Sequence, residues 1–170
     1  AASDVYKRQE KGIEELFYAV RRLKEENENF VLDLAGFFED IYKKQVEELE
    51  QLGIAHFYGF QSDPRPFYTE ADCVVLPSYH EGMSNVLLEA AATGRPVITS
   101  NIPGCRESVE NGKSGLLVEV KNKEMLYQAM KKMLHCSREE REKMGKAGRE
   151  KMKREFRKEA VVERTVRSLE

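Results

Sequence analysis

Short apolar runs that end in glycine or proline alternate with amphipathic helical stretches, and this alternation limits the folds open to the chain more than any other feature. Residues 30–36, 54–58, 73–77, 96–99 and 115–118 are such runs. Their length suits strands, and apolar residues at successive positions suit strands covered on both faces, so 30–36 is expected to be a buried strand. Between them lie helical patterns. In residues 12–27, Ile13, Leu16, Phe17, Val20 and Leu23 recur at helical spacing. Residues 39–52 are helical up to Gly53. A turn at 63–66 leads to a short helix over 66–71, residues 85–93 form a helix closed by Gly94, and Pro103-Gly104 is a turn. Residues 107–110 give one further helical turn before Gly112. Strands that alternate with helices predict an α/β fold: a Rossmann-like, doubly wound parallel sheet with helices on both faces.

From residue 122 the chain becomes helical and stays so. Met125/Leu126, Ala129/Met130 and Met133/Leu134 line one face. Ser137 followed by Glu140 predicts a capping box at the start of a helix over 138–155. That helix is polar, with Met144, Ala147 and Met152 as its inner face. A last helix carries Val162, Val166 and Leu169. The expected organisation is a truncated or foreign segment at 1–9, a Rossmann-like α/β domain at 10–136, and C-terminal helices at 137–170. Those helices would pack on the domain or on a neighbouring one.

The chain's 170 residues suffice for one full domain. A net charge of −2 gives no basic footprint for nucleic acid. No apolar run approaches the ~18 residues of a membrane span. Cys73, Cys105 and Cys136 are odd in number and scattered, which fits a reducing compartment and predicts a cytoplasmic location. Cys73 lies in an apolar run and reads as a small core residue. His56, His80 and His135 have no metal-ligand spacing with them, and no metal is expected.

The chemistry concentrates in residues 79–90, Tyr-His-Glu-Gly-Met-Ser-Asn-Val-Leu-Leu-Glu-Ala, directly after the run at 73–77. Glu81 sits in a Gly/Ser loop, and Glu89 sits about one turn inside the following helix. Loop amides and a helix N-terminus suit a phosphate. Carboxylates accept paired hydrogen bonds from vicinal hydroxyls of a ribose or hexose. A phosphate site flanked by diol acceptors suits a nucleotide-sugar. Each residue also has a plainer role: Glu81 as a loop acid favoured by a helix dipole, Glu89 as a solvent-facing helix residue, Ser84 or Asn85 as an N-cap. The apolar neighbours of Glu89 predict that it is buried and therefore partnered.

Taken in order, Leu76-Pro77-Ser78, Glu81-Gly82, Leu88-Glu89-Ala90, Gly94-Arg95-Pro96-Val97-Ile98, Gly104, Glu107, Gly112 and Gly115-Leu116-Leu117-Val118 resemble the C-terminal domain of family-four GT-B retaining glycosyltransferases. Glu10-Lys11-Gly12-Ile13 resembles the same family's motif after its first strand. Bacterial members that build capsule, exopolysaccharide or lipid-linked oligosaccharide look most similar. The resemblance implies a donor half-site for a UDP-sugar. Glu89 would hold the ribose hydroxyls and Glu81 the transferred sugar. Backbone amides of Gly82, Met83, Ser84 and Asn85 would meet the pyrophosphate and sugar, and Lys11 the phosphates. The base would rest near Gly59 and Phe60. His80 adjoins Glu81 but reads as a loop residue, and Gly104 and Glu107 as shapers of the cleft loop. The acceptor would bind an N-terminal domain absent from the chain, and could be membrane-linked at the inner membrane face.

The resemblance has one departure. Tyr6 stands where the family places an arginine five residues before the lysine, Arg8 is out of register, and residues 1–6 do not form the expected apolar strand. Competing readings are a sucrose- or sugar-phosphate-synthase type enzyme, a sugar-nucleotide epimerase, a redox Rossmann domain and a non-catalytic interaction module. The E-x7-E spacing disfavours the epimerase, and the absence of G-x-G-x-x-G disfavours dinucleotide binding.

Overall fold

The computed structural model describes residues 11–156. The readings of residues 1–9 and of the last helix, with Val162, Val166 and Leu169, lie outside the described residues. The elements in chain order are α1 (Ile13–Glu25), β1 (Leu32–Ala35), α2 (Asp40–Gln51), β2 (Ala55–Gly59), α3 (Arg65–Glu70), β3 (Val74–Leu76), α4 (Asn85–Ala92) and β4 (Val97–Ser100). A 3₁₀ turn (Arg106–Ser108), β5 (Gly115–Val118), α5 (Lys123–His135) and α6 (Arg138–Glu155) follow. Among the described residues every strand pairing is parallel. Among the described residues the strands form two sheets, β1–β2 and β3–β4–β5.

The strands of the larger sheet carry apolar side chains on both faces, as their unbroken apolar runs require. Val75, Ile98, Leu116 and Val118 pack with α1 and α5 in one core. Val74, Leu76, Val97 and Leu117 pack with Tyr68 of α3 and with Leu87 and Ala90 of α4 in the other. β4 lies between its neighbours and is buried at all four positions. Helices therefore cover both faces, as a doubly wound fold demands. The run at 30–36 departs from expectation. Only Leu32–Ala35 is strand, it alternates half-buried with exposed, and Val31 is exposed. Helices cover only one face of β1: Leu32 and Leu34 face the core of α1 and α2, while Val31, Asp33 and Ala35 are exposed.

Ser137 and Glu140 form the expected capping box: the Ser137 Oγ accepts the Glu140 amide at 3.2 Å, and Glu140 Oε2 accepts the Ser137 amide at 2.7 Å. The inner face of α6 differs from expectation. Gly145, Gly148 and Met152 are buried, whereas Met144 and Ala147 are only partly so. Gly145 lets α6 touch the Gly94 turn after α4 backbone to backbone, and Gly148 brings it against Ala91 of α4. A Cβ on Gly145 would lie 1.8 Å from the Gly94 carbonyl oxygen.

Candidate functional site

The site is assembled from chain segments far apart in sequence. Gly12 is buried, has φ +68°, and rests on the end of β3: a Cβ there would lie 2.1 Å from the Pro77 carbonyl oxygen. Only glycine tolerates both the left-handed backbone and the close approach. This contact seats Lys11 beside the loop that follows β3, where its Nζ forms an ion pair with Glu81 Oε1. The buried Ser78 hydroxyl donates to the same oxygen at 2.8 Å. The Glu81 side chain is 13 % exposed and the Lys11 side chain 47 %. Lys11 and Glu81 are thus brought together.

The loop carrying Glu81 is braced from the other side by Gly104, at φ +86°. A Cβ there would lie 2.0 Å from the Gly82 carbonyl oxygen and 2.5 Å from that of Glu81. The Gly104 amide donates to Glu107 Oε2 at 2.8 Å, and the Gly104 carbonyl accepts the Ser84 amide at 3.0 Å. Gly104 and Glu107 therefore do shape this loop. The Ser84 amide is already engaged, which narrows the run of amides at 82–85 that a ligand can meet. Ser84 occupies the N-cap position of α4, yet its side chain caps nothing. Its carbonyl accepts the Leu88 amide, so the amides of Asn85, Val86 and Leu87 precede the first intrahelical donor. That end carries the positive pole of the helix dipole and suits an anion. Met83 is exposed at the mouth of the loop, and so are Gly82 and His80.

Glu89 is exposed, contrary to the expectation of burial. α4 buries Leu87, Ala90 and Ala91, and position 89 falls off that stripe. Its neighbours come from α3. Burial, and then the Glu89 carboxylate, push the Tyr68 phenol up from 10.0 to about 12. Arg65 is raised chiefly by its bonds to Asp63, with Glu89 adding to them. Arg65 and Tyr68 were not legible as site residues, because their approach to Glu89 depends on how α3 packs on α4.

Tyr42 is likewise pushed to about 12, by burial and then Glu14. Phenols that hold their protons more tightly in the native state make stability fall as pH rises from 10 toward 12, and leave it unaffected below 10. The urea midpoint is expected to drop between pH 9 and pH 11, and Tyr68→Phe to shrink that drop. An unchanged midpoint would place both phenols in ordinary surroundings.

Gly59 ends β2 at φ +67°, and its carbonyl accepts the Gly36 amide at 2.8 Å. The exposed Phe60 ring stacks on exposed Phe37, with centroids 5.1 Å apart and planes 12° from parallel. Phe37 escaped the sequence reading; its only signal was an aromatic after a strand-ending glycine. Gly59 and Phe60, like the loop at 78–85, lie at the C-terminal end of a parallel strand, where open α/β sheets bind ligands. A cavity of about 300 Å³ lined by Thr69, Arg95, Pro96, Arg138 and Arg141 opens at the opposite ends of β3 and β4, away from these groups. Among the described residues no group of three or more His, Cys, Asp or Glu could hold a metal ion. No described helix is long and apolar enough to cross a membrane.

Residues 7–151 match the family model described as glycosyl transferases group 1. The lipopolysaccharide core biosynthesis glycosyltransferase LpsE of Rhizobium meliloti is 31 % identical over 155 residues, covering 90 % of this chain and 44 % of LpsE. The capsular polysaccharide biosynthesis glycosyltransferase CapM of Staphylococcus aureus is 28 % identical over 159 residues, covering 91 % of this chain and 41 % of CapM. The chain thus spans less than half the length of either relative. The solved sucrose-phosphate synthase of Thermosynechococcus elongatus superposes with a TM-score of 0.79 at 28 % identity, over 95 % of this chain and 43 % of that one. With the fold and the motif order in agreement along most of its length, the chain belongs to the glycosyl transferases group 1 family.

Proposed function

We propose that the chain is the donor-binding part of a retaining glycosyltransferase. The whole protein would move a hexose or N-acetylhexosamine from a UDP-sugar to a hydroxyl of a glycan or lipid-linked acceptor. The observation that carries this reading is the meeting of Lys11 and Glu81 beside the uncapped N-terminus of α4, the helix that bears Glu89. The leaving group is a diphosphate, so the site must stabilise developing negative charge. Lys11 supplies a point charge, and the Asn85–Leu87 amides with the helix dipole supply the rest. Glu81 would hold sugar hydroxyls, Glu89 the ribose diol, and Gly59 and Phe60 the base, with Phe37 alongside. The acceptor would be held by a second domain, in line with the share of its relatives that this chain spans. The reading assigns no step to a metal and places the protein in the cytoplasm, at the inner membrane face where its acceptor is lipid-linked.

Calorimetric titration of UDP-N-acetylglucosamine into the purified chain tests it. Saturable heat is expected, with affinity about 100-fold lower in Glu89→Ala, since two charge-assisted hydrogen bonds of about 1.5 kcal/mol each are lost. No heat from a cooperatively folded chain, with UDP-, GDP- and ADP-sugars alike, would sink the proposal. A second reading, a donor domain of the sugar-phosphate-synthase type, is favoured by the likeness to sucrose-phosphate synthase. In that case the whole protein would use a soluble sugar phosphate as acceptor and leave lipid-linked glycans untouched.

A further inference from the structure

We propose that the Lys11–Glu81 ion pair makes the site discriminate an intact nucleotide-sugar from the free nucleoside diphosphate; this rests on the donor-site reading above. Glu81 Oε1 receives two donors, the Lys11 ammonium and the Ser78 hydroxyl. The carboxylate is largely withdrawn from solvent, and its loop is clamped by Gly104 on one side and tied to Ser78 on the other. It cannot follow Lys11 if the lysine turns to a ligand.

The two ligand classes therefore meet different situations. A free nucleoside diphosphate that engages Lys11 must share its ammonium with Glu81 or draw it away. Either way it brings the full charge of its terminal phosphate beside a poorly solvated carboxylate whose bond to Lys11 is weakened, and it offers that carboxylate no donor in return. An intact donor takes the same lysine but presents sugar hydroxyls, whose O–H groups replace the lost bond on Glu81. The exchange is balanced for the substrate and unbalanced for the product nucleotide. Glu81 thereby acts as a specificity-determining residue through charge as well as through contact with the sugar, and Ser78 as the positioning residue that keeps it in place. When the sugar leaves, the pair re-forms and displaces the spent nucleotide.

The test is calorimetry with UDP, UDP-glucose and UDP-N-acetylglucosamine on the wild-type chain, Glu81→Gln and Ser78→Ala, at one ionic strength. The wild type is expected to bind the better of the two UDP-sugars about tenfold more tightly than UDP. Glu81→Gln keeps the shape but frees Lys11, so UDP should bind about tenfold more tightly and the preference should vanish. Ser78→Ala leaves Lys11 as the single donor to Glu81, so UDP should weaken more than the UDP-sugars and the ratio should widen. UDP binding unchanged or weaker in Glu81→Gln, or a narrower ratio in Ser78→Ala, overturns the proposal while the donor site stands. Failure of the wild-type chain to bind any of the three overturns this proposal, and failure with GDP- and ADP-sugars as well overturns the donor-site reading.

Discussion

Replacing Gly145 by alanine lowers the stability of the folded chain by about 3 kcal/mol, while the same change at Gly148 raises it by up to about 1 kcal/mol. Helix propensity alone predicts a gain at both sites, since alanine is favoured over glycine inside a helix by about 1 kcal/mol. Packing reverses the sign at one of them. A Cβ on Gly145 would lie 1.8 Å from the Gly94 oxygen and 2.7 Å from its carbonyl carbon. Both are backbone atoms, so no rotamer change relieves the overlap, and α6 must lift off the Gly94 turn that follows α4. A Cβ on Gly148 would meet Ser114 and Ala91 at 3.6–3.9 Å, which is ordinary contact. Denaturant midpoints at constant slope measure both variants. Stabilisation by both alanines would mean that α6 and the Gly94 turn do not meet through backbone atoms.

The second large effect couples fold to site. Gly104→Ala is expected to weaken UDP-sugar binding at least tenfold and to lower stability by about 2 kcal/mol. The new methyl would occupy the space of the Gly82 and Glu81 carbonyl oxygens, 2.0 and 2.5 Å away, at a φ that alanine already disfavours. The loop must move, and with it Glu81 and the Ser84 amide bonded to the Gly104 carbonyl. Gly112 supplies the control. Its φ is +77°, but nothing lies within 4 Å of a Cβ there. Gly112→Ala should show only the backbone cost, about 1 kcal/mol, with donor affinity intact. Equal donor affinities in the two variants would show that Gly104 does not brace the loop.

The order of strands and helices was legible because Val74–Leu76, Val97–Ile98 and Leu116–Val118 are apolar at successive positions, and only burial on both faces accommodates that. The motif at 79–90 was legible for a related reason. It joins a strand end to a helix start, so its chemistry is local in sequence. Residues whose roles depend on packing between elements were not legible. Glu89 was expected to be buried from its neighbours' hydrophobicity, but its angular position on α4 takes it off the buried stripe. Arg65 and Tyr68 belong to a helix whose placement against Glu89 no local pattern encodes. Phe37 meets Phe60 only because β1 and β2 pair in parallel and end together. The inner face of α6 was sought in its methionines and alanine, whereas the closest approach uses glycine, a residue with no hydrophobic signal.

The meeting of Lys11 and Glu81 also bears on when the site comes into being as the chain folds. Their hydrogen bond spans 70 positions, and the segment between them contains α1, β1, α2, β2, α3 and β3. Loop-closure entropy opposes such a contact until the intervening elements have collapsed and shortened the path between its ends. Glu89, by contrast, needs only a strand, a loop and a helix adjacent in sequence. The carboxylate proposed to hold the ribose can thus be placed early and locally, while the Lys11–Glu81 half of the site waits for a contact between residues 70 positions apart. On the proposed donor-site reading, nucleotide binding would then report that folding is complete, and a partly folded chain would not sequester the donor.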